Sequence, residues 1–338
     1  MTKLYKLMFT SMLIKSTLIT ISAYTWLGMS IGLEINLLSL IPIIPSKSIL
    51  SSETSIKYFI TQAIASTIIM MSMIKMIWYF NFSSLINMKS NWLMIMNLGL
   101  IFKMGMAPLH FWFPEVLEGL NWKNCLIMLT WQKITRMMLI MLNIEFPIFY
   151  SMIIISAMMI SGFMSINQMS IRTLMAFSSM NHMGWLMSSM MTAKTIWILY
   201  IVLYSIITIN ITMIMTNIFY LNQIFSTLNV SFSMYMFFML NFLSFCGIPP
   251  LLGFIPKWMV IQTMIENNMF FLTIIMIMFS LIMIYVYIRI IMTTLHMKTN
   301  QVNWNMTLNM KINKMPISLL KFLSMMSLIL VTIMLNMM

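Results

Sequence analysis

Apolar segments of about 20 residues follow one another along almost the whole chain and are separated by short connectors. An α-helix of that length spans the hydrocarbon core of a bilayer, where only helices and closed barrels satisfy all their backbone groups. Of the 338 residues, 61% are hydrophobic and 7% are charged, which is far more apolar than a soluble core requires. The sequence therefore predicts an all-α integral membrane protein.

Turn residues and charges divide the apolar sequence into eleven predicted spans. Their approximate ranges are 4–23, 25–44, 57–80, 91–113, 124–142, 146–166, 173–191, 195–217, 235–262, 269–292 and 316–336. The connectors are too short for a soluble domain, and the longest, 293–315, is polar and basic. Each span corresponds to one transmembrane helix in this prediction.

The net charge of +13 would suggest nucleic acid in a soluble protein, but in a membrane protein the placement of the cations decides their meaning. The lysine and arginine residues of the connectors occur mainly in every second connector. With the N-terminus inside, the inner side holds Lys3, Lys6, Lys47, Lys57, Lys123, Arg172, Lys298, Lys311 and Lys314, and the outer side holds Lys89 and Lys194. This asymmetry predicts an inner N-terminus and an outer C-terminus, with no nucleic-acid partner.

The chain lacks the residue patterns of cofactor and metal sites. Its two cysteines, Cys125 and Cys246, are far apart, whereas an iron–sulfur cluster needs about four thiolates. It has no G-x-G-x-x-G after a strand and no G-x-x-x-x-G-K. Three scattered histidines and no aspartate make a metal site improbable. We expect no cofactor and no metal in this chain.

Two predicted spans are interrupted by proline and carry a lysine. Lys103 precedes Pro108 in the fourth span, and Lys257 follows Gly247-Ile248-Pro249-Pro250 in the ninth. Proline frees backbone carbonyls, which then need water, side chains or ions. The two spans cross in opposite directions five spans apart, as an inverted repeat predicts. Simple proline kinks are the alternative. The prediction is one five-helix repeat in 1–142, a second in 143–292, and a basic loop with a final span in 293–338.

Ionisable side chains at membrane depth are functional candidates because an unpaired charge there costs at least about 2.5–3.5 kcal/mol. They are Glu34, Lys103, Lys133, Arg136 and Lys257. Lysine and glutamate exchange protons more readily than arginine. A structural ion pair or a snorkelling side chain is the favoured interpretation for Arg136 and also for Lys15. His110 and His182 are weaker proton-relay candidates, and packing explains them equally well.

Five segments make the chain resemble a known family over essentially its whole length. They are Trp26-Leu-Gly with Gly32-Leu-Glu34, Lys103-Met-Gly-Met-Ala-Pro108, Thr130-Trp-Gln-Lys133, Leu174 to His182 and Gly247-Ile-Pro-Pro through Lys257. Together they resemble the chain 2 family of mitochondrial NADH:ubiquinone oxidoreductase, in its insect form. The family usually has Ala-Pro after Trp-Gln-Lys, whereas this chain has Thr135-Arg136.

The resemblance implies an antiporter-like, proton-translocating subunit of respiratory complex I. In that family Glu34 and Lys103 match a glutamate–lysine pair, Lys133 a central lysine and Lys257 a terminal lysine. It implies the mitochondrial inner membrane, with the N-terminus in the matrix and the C-terminus in the intermembrane space. NADH, FMN, iron–sulfur clusters and ubiquinone would bind other subunits. The implied partners are chains 4 and 4L, accessory subunits and phospholipids such as cardiolipin.

Two other functions fit part of the sequence. A stand-alone cation/proton antiporter would share the interrupted spans and the lysines, but it would transport ions without partners. A structural spacer of the membrane arm would tolerate neutral replacements of all four relay residues. The repeated combination of helix break and lysine disfavours the spacer, and the resemblance disfavours the stand-alone antiporter.

Overall fold

Helices account for almost every residue that the computed structural model describes, namely 2–45, 48–80, 86–215, 220–221, 223, 232–249 and 251–299. Within these ranges thirteen helices follow in chain order. They are α1 Thr2–Ser22, α2 Trp26–Leu40, α3 Ile49–Phe80, α4 Ile86–Met104, α5 Trp112–Gly119, α6 Trp122–Leu129, α7 Trp131–Met141, α8 Pro147–Ser165, α9 Ile171–Thr192, α10 Lys194–Ile214, α11 Phe232–Cys246, α12 Phe254–Glu266 and α13 Phe270–Thr299.

Five of the described helices are long and apolar enough to cross a membrane. They are α1, α3, α8, α10 and α13, with qualifying ranges Leu4–Ser22, Ile49–Trp78, Pro147–Ser165, Lys194–Ile214 and Phe270–Thr293. This finding confirms the helical membrane fold. The total of eleven spans and the inverted repeats stay predictions, and the eleventh span, 316–336, lies outside the described residues.

The described residues form two compact units that divide between Ala157 and Met158. In the first, α3 packs against α4 and α5, α1 packs against α2, and α7 contacts α1, α4 and α6. In the second, α9 contacts α10, α12 and α13. The predicted repeat boundaries at 142 and 292 stay predictions.

The observed helices differ from the predicted spans at several places, three of which are the fifth span, the start of α3 and the end of α13. The fifth span, 124–142, is two helices that meet at Thr130, where φ is −112° and ψ is −70°. Helix α3 begins eight residues before the predicted start at Lys57. Helix α13 continues to Thr299, into the segment predicted as a polar loop.

The early start of α3 has a local cause. The hydroxyl groups of Ser51, Ser52 and Ser55 each donate to the carbonyl three residues earlier, so these polar side chains are satisfied within the helix itself. The first turns of α3 also pack against α5. Polar residues that look like a connector are therefore held in a helix by tertiary packing.

Candidate functional site

The first helix break begins at Gly105, directly after α4. Gly105 has φ +72°, a left-handed conformation that glycine adopts without steric cost. Its N–H donates to Phe102 O at 3.0 Å, and the Met106 N–H donates to Ile101 O at 3.3 Å. This bond pair is a Schellman motif, and it ends α4 one turn before the cis peptide bond at Ala107-Pro108.

Side chains from other helices bind the carbonyls at the end of α4. Trp112 Nε1 donates to Phe102 O at 3.2 Å. The Lys103 carbonyl accepts from Gln62 Nε2 at 3.2 Å and also from Arg136 Nη1. A helix C-terminus leaves about four carbonyls without intrahelical partners and carries partial negative charge. The Arg136 guanidinium therefore supplies both a donor and a compensating positive charge.

Arg136 is the centre of a buried polar network that the sequence analysis did not foresee. Its Nη2 atom donates to Tyr58 Oη at 3.1 Å and to Gln132 Oε1 at 3.2 Å. Gln132 Nε2 in turn donates to Asn36 Oδ1 at 2.9 Å. The network thus joins α2, α3, α4 and α7. Its one sequence signal is the spacing of four between Gln132 and Arg136, which places both on one helix face.

The first unit brings Glu34 and Lys103 within electrostatic reach of each other. Lys103 is 3% exposed in the last turn of α4, and Glu34 is half-buried on α2. The two charges interact electrostatically, but no direct ion pair within 4.0 Å joins them in the described part of the chain.

Lys133 and His110 are also buried in the first unit. Lys133 is 3% exposed and lies three residues after the break between α6 and α7. Its Nζ atom lies 5.7 Å from the centre of the Phe113 ring, within the range of a cation–π interaction. His110 lies in the segment between α4 and α5, where its Nδ1 atom is 3.3 Å from Pro108 O and its ring stacks on Phe111.

The second helix break, in the second unit, uses the same local device as the first. Gly247 follows the last residue of α11 and has φ +76°, and its N–H donates to Ser244 O at 3.0 Å. Lys257 Nζ donates to the Cys246 carbonyl at 2.7 Å. An ammonium group therefore binds the negative end of α11, as the Arg136 guanidinium binds that of α4. The other side of Lys257 faces the Trp185 ring, whose centre is 5.9 Å away.

His182 belongs to an aromatic cluster of the second unit. Its Nδ1 atom is 3.0 Å from Tyr200 Oη, and its ring lies 4.4 Å from that of Phe245 and 5.2 Å from that of Tyr204. The sequence analysis found the histidine but not the two tyrosines. They come from α10, whose even apolar composition gives no sign of which residues face α9.

Buried polar atoms on two helices, the one that carries Lys133 and the one that contacts Lys257 through Trp185, have no hydrogen-bond partner among the described residues. Trp131 Nε1 and Thr135 Oγ1 are on the same helix as Lys133. Asn181 Oδ1 and Trp185 Nε1 are on α9 of the second unit. Buried polar groups are nearly always hydrogen-bonded to protein or to ordered water. The surroundings of the lysines are therefore chemically suited to water.

The six candidate residues are divided between the two units. Glu34, Lys103, His110 and Lys133 are in the first unit, and His182 and Lys257 are in the second. The described residues contain no group of three or more histidine, cysteine, aspartate or glutamate side chains arranged to hold a metal ion. Each unit instead offers buried ammonium groups beside a helix break, which suits the storage and transfer of protons.

Comparisons with known proteins give a consistent result. The family model described as NADH:quinone oxidoreductase/Mrp antiporter, TM, matches residues 23–284. NADH-ubiquinone oxidoreductase chain 2 of Anopheles gambiae is 42% identical, over 93% of each chain. The same protein of Aedes aegypti is 43% identical, over 98% of each chain. A chain in the solved structure of respiratory complex I from Thermus thermophilus is similar in fold, with a TM-score of 0.79 at 20% identity, over 86% of this chain and 70% of that one.

Proposed function

Because this chain belongs to the NADH-ubiquinone oxidoreductase chain 2 family, and is therefore a proton-translocating membrane subunit of respiratory complex I, we propose that its protons pass through buried lysines beside the helix breaks. Lys103, Lys133 and Lys257 hold the protons in transit, and Glu34 controls Lys103. His110 and His182 are secondary transfer sites. The path runs from the mitochondrial matrix to the intermembrane space across the inner membrane.

The observation that carries this proposal is the burial of three lysines in an apolar bundle. Lys103, Lys133 and Lys257 are 3%, 3% and 7% exposed. Charged side chains at membrane depth are costly and usually mark ion or proton pathways. A lysine that served packing alone would be replaced without loss by methionine, which has a similar length and no charge. At Lys257 the ammonium group binds the carbonyl at the end of α11 and lies against Trp185, whose Nε1 atom has no partner among the described residues, and both observations support a hydrated path.

The Glu34–Lys103 pair acts as the switch in this mechanism. Two charges 4 Å apart interact by about 4 kcal/mol at an effective dielectric constant of about 20. Each change of about 1.4 kcal/mol alters a protonation equilibrium tenfold. Movement of Glu34 towards or away from Lys103 therefore changes how tightly Lys103 holds its proton. Glu34 and Lys103 interact electrostatically without a direct ion pair among the described residues. A small movement can therefore strengthen or weaken their interaction.

Electron transfer supplies the energy from elsewhere in the complex. In this proposal NADH, FMN, iron–sulfur clusters and ubiquinone bind other subunits, and this chain responds through its neighbours. Those neighbours are chains 4 and 4L, accessory subunits and phospholipids such as cardiolipin. The N-terminus faces the matrix and the C-terminus the intermembrane space, in agreement with the distribution of basic residues among the connectors.

Replacement of Lys103 by methionine tests the proposal. The Lys103→Met variant removes the charge but keeps a similar side-chain length, so we expect the complex to assemble and to move fewer protons for each electron transferred. The measurement is the proton-to-electron ratio of the assembled complex in liposomes. Lys194→Met is the matched control, because Lys194 is exposed at the start of α10. A wild-type ratio in Lys103→Met would contradict the proposal.

A further inference from the structure

Helix α1 has one face that packs within the first unit. Its buried residues Leu13, Ser16, Thr17 and Thr20 lie on this side, and α1 packs against α2 and α7. A Cβ added to Gly32 of α2 would collide with Thr20, so the two helices are in close contact there. This face of α1 is fully occupied by its own unit.

The opposite face of α1 is exposed along its whole length. It consists of Leu4, Met8, Ser11, Lys15, Leu18 and Ser22, all of them exposed. Successive members of this set are four, three, four, three and four residues apart. This spacing is close to the period of about 3.5 residues with which one helix packs along another. At about 3.6 residues per turn this seam lies on the side of α1 away from Thr17 and Thr20. Of the residues in the α1 span 22% are buried, against 39–44% in the other four spans.

The seam carries a positive charge that none of the acidic side chains, all of which the structure describes, neutralises. Lys15 is in the apolar span Leu4–Ser22. The chain has six acidic residues, Glu34, Glu53, Glu115, Glu118, Glu145 and Glu266. All six belong to the described part of the chain, and none of them lies within 4.0 Å of Lys15. A lysine exposed to lipid at this depth costs about 2.5–3.5 kcal/mol on insertion scales.

Snorkelling to the membrane surface does not remove that cost. Lys15 is seven residues from the end of α1 at Ser22, which is about 10 Å at about 1.5 Å per residue. Side chains on a helix point towards its N-terminus, so the lysine is directed away from this nearer end. The other end of the span, Leu4, is eleven residues away, or about 16 Å. A lysine side chain is too short to reach either surface from its position.

We propose that the Leu4–Ser22 seam of α1 binds a transmembrane helix of another subunit of the complex, and that this helix carries an aspartate or glutamate at the depth of Lys15. Ser11 and Ser22 are small and allow close approach of a second helix, while Leu4, Met8 and Leu18 provide apolar contact. The carboxylate neutralises Lys15 in the membrane interior. The proposal rests on membership of a multisubunit complex and is independent of the proton path.

Neutral replacement of Lys15 tests this interface. In Lys15→Met the partner carboxylate is left buried and unpaired, which weakens the interface. The comparison is made at the detergent concentration at which half of the wild-type chain has dissociated from the complex. There we expect the fraction of the variant chain retained in the complex to be at least about tenfold lower than that of the wild type. Retention is measured on native gels. Lys15→Arg keeps the charge and should behave like the wild type.

Lys75→Met is the matched control, because Lys75 is also in a membrane helix but its charge lies over the ring of Trp78, 5.5 Å from its centre. It should leave retention unchanged.

Lys15→Met makes the α1 surface more apolar, so membrane insertion of the chain is preserved. Complexes of Lys15→Met that stay intact should show a wild-type proton-to-electron ratio, which separates this interface from the relay. The proposal is overturned if Lys15→Met is retained in the complex as well as the wild type. It is also overturned if Lys15→Arg dissociates from the complex as much as Lys15→Met does.

A photoreactive side chain at Ser11 identifies what covers the seam. We expect it to cross-link to a transmembrane peptide of another subunit that contains an aspartate or glutamate. Cross-linking to lipid alone would show that an anionic headgroup covers Lys15 and would overturn the proposal. Cross-linking to a second copy of this chain would overturn it as well.

Discussion

Arg136 shows how one residue can determine the ending of a helix that belongs to a different part of the sequence. The guanidinium binds the Lys103 carbonyl, Tyr58 and Gln132 at once. Lysine has a single nitrogen and cannot present this fork of donors. The sequence analysis favoured a structural role for Arg136, as an ion pair or a snorkelling side chain. The structure instead gives it hydrogen bonds to a carbonyl, a phenol and an amide, all from within the first unit.

Replacing Arg136 by methionine should loosen the end of α4. Tyr58 and Gln132 would lose a buried donor and the Lys103 carbonyl would keep Gln62 alone, and each buried group without a partner costs about 1–3 kcal/mol. We expect the backbone amides of 104–111 to exchange hydrogen at least about tenfold faster in the assembled complex, measured by mass spectrometry. Arg289→Met is the control, because Arg289 is exposed on α13. Equal exchange in both variants would show that Arg136 does not hold this helix end.

At the scale of elements, the helix breaks at proline were predictable and the break at Thr130 was not. Pro108 and Pro249-Pro250 cannot continue a regular helix, so sequence alone places breaks there. Thr130 has no glycine or proline beside it, and the deviation of its backbone depends on how α6 and α7 pack. The partner of the Lys257 ammonium group was also unpredictable, because the backbone carbonyl of Cys246 carries no sequence signal.

Gly247 should be required for the position of Lys257. Alanine at 247 would adopt φ +76° with strain, and its Cβ would lie 2.8 Å from Lys257 Cδ and 3.0 Å from Nζ. We expect Gly247→Ala to displace the ammonium group from the Cys246 carbonyl and to lower the proton-to-electron ratio of the complex. Gly162→Ala is the control, because its Cβ would meet Ile282 at an ordinary 3.6 Å and alanine favours a helix by about 0.5–1 kcal/mol. A wild-type ratio in Gly247→Ala would contradict this role.

At the scale of the whole molecule, composition alone predicted a helical membrane protein, since the bilayer permits few other folds for such a sequence. The candidate residues of the proposed relay were predicted from the resemblance to a family and from their charge. Their burial depended on tertiary packing and became visible only in the structure. The distribution of the candidates over two units also follows from packing, because no sequence pattern marks a boundary at Ala157.

The central claim is that the buried lysines exchange protons with water inside the bundle. A high-resolution cryo-electron microscopy map of the assembled complex tests it most directly, by showing whether ordered water lies on the Nζ atoms of Lys103, Lys133 and Lys257. We predict at least one water within hydrogen-bond distance of each Nζ atom, supported at Lys257 by the unpaired Nε1 atom of Trp185. Dry, apolar surroundings at these three nitrogens would contradict the account.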